Sequence, residues 1–314
     1  MEKINKSQCL KGMYSRAIYL LALGILFGVN GMAQTLKTDS INIIGGISMN
    51  VDNQIILEDA QYGIYYKFDY KVSDNKKEIN LCDTLYLACG RMQSVFLDPL
   101  YKENMELNRK DRIKISTRKN FKTISFDHQN LDEIADFVDI NSDYKEYSAG
   151  DPIQIYKDKT KRMITSVYNS YSNNVRCEQS ADKLLNWKIS NDTATVLGYA
   201  CRKAGVQYAG RHYTAWFTMD ISLNDGPWKF QGLPGLILKV EDDQHLFQWT
   251  AIGLQELKKA KIVTDKVKYE TVSVKQFNEY VNKETNNVMV RFYHDDILYF
   301  SYKKSRMVNI PIEL

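Results

Sequence analysis

Gly232-Leu233-Pro234-Gly235-Leu236-Ile237-Leu238 is the stretch whose reading decides the fold. Proline presets the backbone for the second position of a tight turn, and glycine accepts the positive φ that a type II turn needs next. The chain is therefore expected to reverse at Pro234-Gly235 and to enter a buried strand from Leu236 to Glu241. On either side the pattern is that of strands. Tyr213, Ala215, Phe217, Met219 and Ile221 alternate with His212, Thr214, Trp216, Thr218 and Asp220, which predicts a half-buried strand over Arg211–Ile221. Tyr62, Ile64, Tyr66, Phe68 and Tyr70 repeat the alternation with Tyr65, Lys67 and Asp69 opposite.

Further strands are expected at Ile79 to Cys89, Lys161 to Val167, Thr195 to Lys203, His245 to Leu254, Lys266 to Val272 and Val288 to Tyr302. Aromatic residues make up 12% of the chain, with 21 tyrosines, a composition that favours strands. Helical signals are few. Ser273-Val274-Lys275-Gln276 can form a capping box ahead of Phe277, Tyr280 and Val281, and Leu131 to Val138 is a weaker second helix. No linker, repeat or low-complexity segment interrupts the chain, so residues 34–314 read as one β-rich domain. The expected fold is mainly β: a large, curved antiparallel sheet or partly closed barrel with one or two short helices.

At the N-terminus Lys3, Lys6, Lys11 and Arg16 precede the apolar run Ala17 to Phe27, with small residues at Gly31 and Ala33. This is the pattern of a signal peptide over residues 1–33, cleaved after Ala33. The apolar run is shorter than the ~20 residues a membrane span needs. Cleavage removes 33 of the 314 residues and leaves 281, with no second long apolar run. The alternative is an uncleaved anchor. The expected location is periplasmic or secreted. The leader carries four of the 42 basic residues and one of the 38 acidic ones, so the remaining chain is nearly neutral and lacks the charge excess of a nucleic-acid binder.

Four cysteines follow the leader: Cys82, Cys89, Cys177 and Cys201. Cys82 and Cys89 share one expected strand, about 23 Å apart at ~3.3 Å per residue, too far to pair. A bridge between Cys177 and Cys201, which flank what read as adjacent strands, is the preferred pairing. Buried free thiols are the alternative.

Leu197-Gly198-Tyr199-Ala200-Cys201-Arg202-Lys203-Ala204, then Gly210 to Thr218, then Gly226-Pro227-Trp228-Lys229-Phe230 and Gly232 to Leu238 occur in one order with short spacers. Together they resemble the GLPGLI family of exported proteins from Bacteroidetes-type bacteria. Beyond this block, Leu87 to Phe96, Trp187 and Pro311-Ile312-Glu313-Leu314 are similar to the family's early strand, its tryptophan and its usual ending. Ser222-Leu223-Asn224-Asp225 departs from it, since the family usually carries a proline shortly after the isoleucine. The resemblance implies export and leaves the role open, because the family has no established reaction.

Within the motif block, Gly226, Gly232 and Gly235 let the backbone approach closely. Two readings follow. One is a folding device, an aromatic-lined hairpin whose turn fixes the register. The other is an apolar groove walled by Trp216, Trp228 and Leu233 around Pro234-Gly235, with Arg211 at its rim, that accepts a hydrophobic chain or peptide.

Signatures of catalysis are missing. There is no Gly-x-Ser-x-Gly elbow, no His-Glu-x-x-His or Cys-x-x-Cys pattern and no phosphate loop. Glu241-Asp242-Asp243 with His245, and His294-Asp295-Asp296, read as polar turns between strands. No metal or cofactor is expected. The leading expectation is a non-enzymatic binding or assembly module of the cell envelope, with a lipid, peptide or protein partner. The alternatives are a hydrolase of unrecognised type acting through acids such as Asp220, Asp242 or Asp295, and a purely structural partner in a surface-assembly complex.

Overall fold

The structure, a computed structural model, describes residues 42–46, 51–74, 77–101, 122–125, 151–169, 174–285, 287–294, 297–304 and 308–309. The expected leader and the helix over Leu131 to Val138 lie outside these residues. Among the described residues no helix is long and apolar enough to cross a membrane.

One large sheet dominates. In chain order its strands are β1 (Asn42–Ile44), β2 (Gln54–Asp74), β3 (Lys77–Cys89) and β4 (Gln93–Leu97), then, after β5 (Lys122–Ser125) of a second sheet, β6 (Ile153–Asp158), β7 (Met163–Asn169) and β8 (Asn174–Ser180). The chain continues through β9 (Lys188–Val196), β10 (Tyr199–Tyr208), β11 (Arg211–Thr218), β12 (Leu236–Asp242), β13 (Phe247–Asp265) and β14 (Glu270–Thr271). Helix α1 (Val274–Thr285) follows, then β15 (Asn287–His294), β16 (Ile297–Lys304) and β17 (Val308–Asn309). The main path runs β14-β8-β7-β6-β4-β3-β2-β13-β12-β11-β10-β9, with β1 on β13 and β17 on β2. Its two ends do not pair, so the sheet is open. β15, β16 and β5 form the small second sheet.

The expected large antiparallel sheet is thus present, built on the two longest strands. Tyr62, Ile64, Tyr66, Phe68 and Tyr70 of β2 all face the main core. β2 pairs with β3 without a break, whereas its ladder with β13 slips at three places. Such bulges bend a sheet. The bending brings distant strands together: residues of β2, β3, β4, β6 and β7 share one core cluster with those of β10 to β13.

Several expected strands end differently. Thr195–Lys203 is two strands, because Leu197 (φ 50°) and Gly198 (φ 82°) form a two-residue reversal between β9 and β10. Ala209 (φ 47°) and Gly210 (φ 78°) do the same between β10 and β11. Both have the two positive φ values of a type I′ hairpin, whose twist suits the flanking strands. The strand from Arg211 stops at Thr218, leaving Met219 55% exposed, and Lys266 to Val272 contributes only the two residues of β14. Val288 to Tyr302 falls on the hairpin β15–β16. The capping box forms as expected: Gln276 N–H donates to Ser273 Oγ (3.3 Å) and Ser273 N–H to Gln276 Oε1 (3.0 Å). Phe277 then packs with Tyr168, Val175 and Cys177.

Candidate functional site

Between β11 and β12 the chain leaves the sheet as a loop, residues 219–235, and turns into the concave face. Phe230 and Leu233 are at most 1% exposed and Trp228 is 8% exposed, all in the main core with Trp249, Phe217 and Tyr213. The expected type II turn at Pro234-Gly235 is not formed. Gly235 N–H donates to Leu233 O (2.8 Å), closing a three-residue turn about Pro234, and Leu236 N–H is taken by Ile221 O (3.2 Å). Glycine is required for a different reason. At Gly235 (φ +150°) a β-carbon would lie 2.0 Å from the carbonyl oxygen of Thr218. At Gly226 it would lie 2.7 Å from Ile237 Cβ.

Polar anchors hold the loop to the opposite wall. Lys157 of β6 is fully buried, and its ammonium donates to Asp225 Oδ1 (2.7 Å), Gly226 O (2.6 Å) and Phe230 O (3.2 Å). Three acceptors satisfy all three of its protons, which is what makes a buried ammonium tolerable. Lys159 approaches Asp225 Oδ2 at 3.4 Å. Burial alone would raise the Asp225 carboxyl, but the two ammoniums and Ser94 overcome it and hold the group at about 2. Beside it, burial and the Asp225 charge push the Cys89 thiol well up, away from thiolate chemistry. Lys229 Nζ donates to Gln179 Oε1 of β8 (2.7 Å), and Trp187 Nε1 donates to Gln231 O (2.8 Å).

The residues expected to line a groove do not converge on one. Trp228 and Leu233 are part of the interior, and Pro234 is exposed. Trp216 alternates to the outer face, where Lys203 Nζ stands 6.0 Å from its ring. Arg211 is buried at the start of β11, donating to Gln244 Oε1 (3.0 Å) with its guanidinium 5.3 Å from the Phe247 ring. The expected Cys177–Cys201 bridge is not formed, and Cys201 carries a free thiol. The physical reason is placement: Cys177 on β8 packs beside α1 and Cys201 on β10 lies in the main core, with eight strands of the sheet path between β8 and β10. Of the acids, Asp220 is exposed. Asp242 accepts the backbone N–H groups of Gln244, Leu246 and Phe247 and so shapes a turn. Asp295 lies outside the described residues.

A second cluster on the concave side was not legible in advance. Register places Asp83 opposite Phe68. Asp98, just past β4, accepts Leu100 N–H (2.8 Å) and Asp151 N–H (2.8 Å). Burial raises the Asp98 carboxyl to about 6, against the pull of those backbone donors. Burial also raises Asp83 and, together with the Asp83 charge, the Tyr70 hydroxyl that bonds to it. From Tyr70 a row of nearly parallel rings runs inward: Phe68 at 4.8 Å, Trp249 at 4.7 Å from Phe68, and Trp228 of the loop at 5.8 Å from Trp249. The signal that could have found this cluster is the inward phase of Asp83 on a strand whose other inward residues are apolar.

Comparison with known proteins adds little beyond the motif. The family described as "Protein of unknown function (Porph_ging)" matches residues 209–239, which span β11, the loop and the start of β12. No curated protein matches the chain. Two crystal structures of PNGF-II are similar at 11% identity, with TM-scores of 0.47 and 0.41, over 75% and 74% of this chain. This chain spans only 35% of the length of those proteins.

Proposed function

We propose that the chain is an exported, non-enzymatic assembly module of the cell envelope that makes its contacts through its outer surface. The observation that supports this is the seated loop. Where the sequence suggested an apolar groove, Trp228, Phe230 and Leu233 of the chain itself occupy the concave face, and Lys157 fixes them there. Of the two readings of the motif, the folding device is favoured. Export to the periplasm or beyond follows from the leader pattern.

A photo-crosslinker tests the proposal in cells. Placed at outward Trp216 it should give a discrete adduct with another macromolecule, whereas at interior Leu233 it should react only within the chain. Adducts from Leu233 alone, or saturable one-to-one binding of a long-chain fatty acid that a Trp228→Ala change abolishes, would overturn it.

One observation favours a second reading, a hydrolase. Asp98 is buried, burial with the nearby Asp83 charge pushes its carboxyl up to about 6, and a carboxyl so placed suits general acid catalysis. That reading requires turnover of a chromogenic glycoside or ester that is lost in Asp98→Asn while the fold is kept. Equal rates in the two proteins would dispose of it.

A further inference from the structure

We infer that residues 219–235 form a latch, a unit that opens by itself while the sheet beneath it stays paired. The inference goes beyond the assembly reading and does not depend on it.

The loop leaves and rejoins the sheet at one place. Thr218 pairs with Leu236 and Phe217 with Ile237, so its two ends are clamped side by side. No rung of the main ladder passes through the residues between them. The 17 residues can therefore swing away without breaking any strand pairing.

What holds them down is concentrated at the other end. The anchors come from three separate pieces of the chain: Lys157 on β6 and Gln179 on β8, toward the far end of the sheet path, and Trp187 ahead of β9. Lys157 carries the largest share, since one ammonium binds the carboxylate and two carbonyls of the loop at once. The remaining hold is apolar contact of Trp228, Phe230 and Leu233 with Trp249, Tyr213 and their neighbours, and two backbone bonds from the start of β12, Ile237 N–H to Asp225 O (2.9 Å) and Leu236 N–H to Ile221 O (3.2 Å). Elements whose attachment is a few side-chain contacts open below the global unfolding limit, whereas long hydrogen-bonded ladders do not. β2 pairs along its length with both β3 and β13 and belongs to the second class.

Opening would uncover the recess that the three side chains fill, bordered by Trp249 and Tyr213. That recess is thus shut in the resting state. Lys157 sets how firmly it is shut.

Native-state hydrogen exchange on the full chain, at urea concentrations below the unfolding transition, tests this. The amides of Gly226, Phe230 and Gly232 should exchange through an opening with little urea dependence, at least 10-fold faster than those of β2 and β13. Lys157→Met should speed the loop amides by about 100-fold or more, as loss of a buried charge partner implies, while the β2 and β13 amides speed only with the fall in global stability and keep their steep urea dependence. Lys229→Met, which removes the β8 anchor together with the ammonium 5.4 Å from the Trp228 ring, should have a smaller effect of the same kind and serves if the first variant does not fold. Loop and ladder amides that follow one urea dependence in the unaltered protein, or loop amides that neither variant speeds, would overturn the latch.

Discussion

Lys157 and Asp225 stand 68 residues apart in sequence and 2.7 Å apart in space. Removing one member of a fully buried pair strands the other, so Asp225→Asn should cost about 3–5 kcal/mol. Replacing both by apolar residues of similar size, Lys157→Met with Asp225→Leu, should recover most of that loss. Urea unfolding of the three variants checks both statements. No recovery in the double variant would mean that the ammonium's bonds to Gly226 and Phe230 matter more than its charge. Nothing local announces this pair. Lys157 reads as a solvated position on a short strand, and Asp225 as one more polar residue before a turn. Only the curl of the sheet gives them to each other.

At the scale of elements, the strand alternation on β2 and β11 and the capping box ahead of α1 were legible, because each is set by residues within one or two turns of chain. The hairpins were partly hidden. Leu197 and Ala209 are unusual residues for positive φ, and only the glycine that follows each gives the reversal away. The motif turn was visible as a break, but its geometry was decided by tertiary contact with Thr218. The glycines of these turns should therefore respond differently. Gly198 has nothing within 4 Å of a new β-carbon, so Gly198→Ala should cost only the backbone strain, roughly 1–2 kcal/mol. Gly235→Ala meets strain and a backbone oxygen together and should cost about 3 kcal/mol or more. Equal costs in urea unfolding would show that the close approach to Thr218 is relieved by a small shift.

For the molecule as a whole, two buried carboxyls act on stability in opposite directions. Asp225 sits at about 2, below its ordinary 3.8, so its contribution of about 2 kcal/mol is present above pH 4 and is lost as the pH falls through 2. Asp98 sits at about 6, above its ordinary 3.8, so stability is full below pH 4 and is lost as the pH rises through 6. Together they place a maximum of Tm near pH 4 with a decline toward pH 7. Asp98→Asn should reduce that decline and leave the acid side unchanged, the rest of it belonging to Asp83 and to Asp151, which burial raises to about 7. A scan in which the variant keeps the full slope would assign it to other groups. The order of strands in the sheet could not be read from the sequence at all. Apolar alternation says which face of a strand is buried, but β2 chooses β13, nearly two hundred residues later, by how two long bulged strands fit.

The lysine on β6 also bears on how the polypeptide is made. Synthesis delivers residues 153–158 well before residue 225. Until the later segment arrives, a positive charge points into an apolar wall with no counterpart, and a product that ends early keeps that defect permanently. An incomplete copy therefore cannot close this part of its core without burying an unpaired charge.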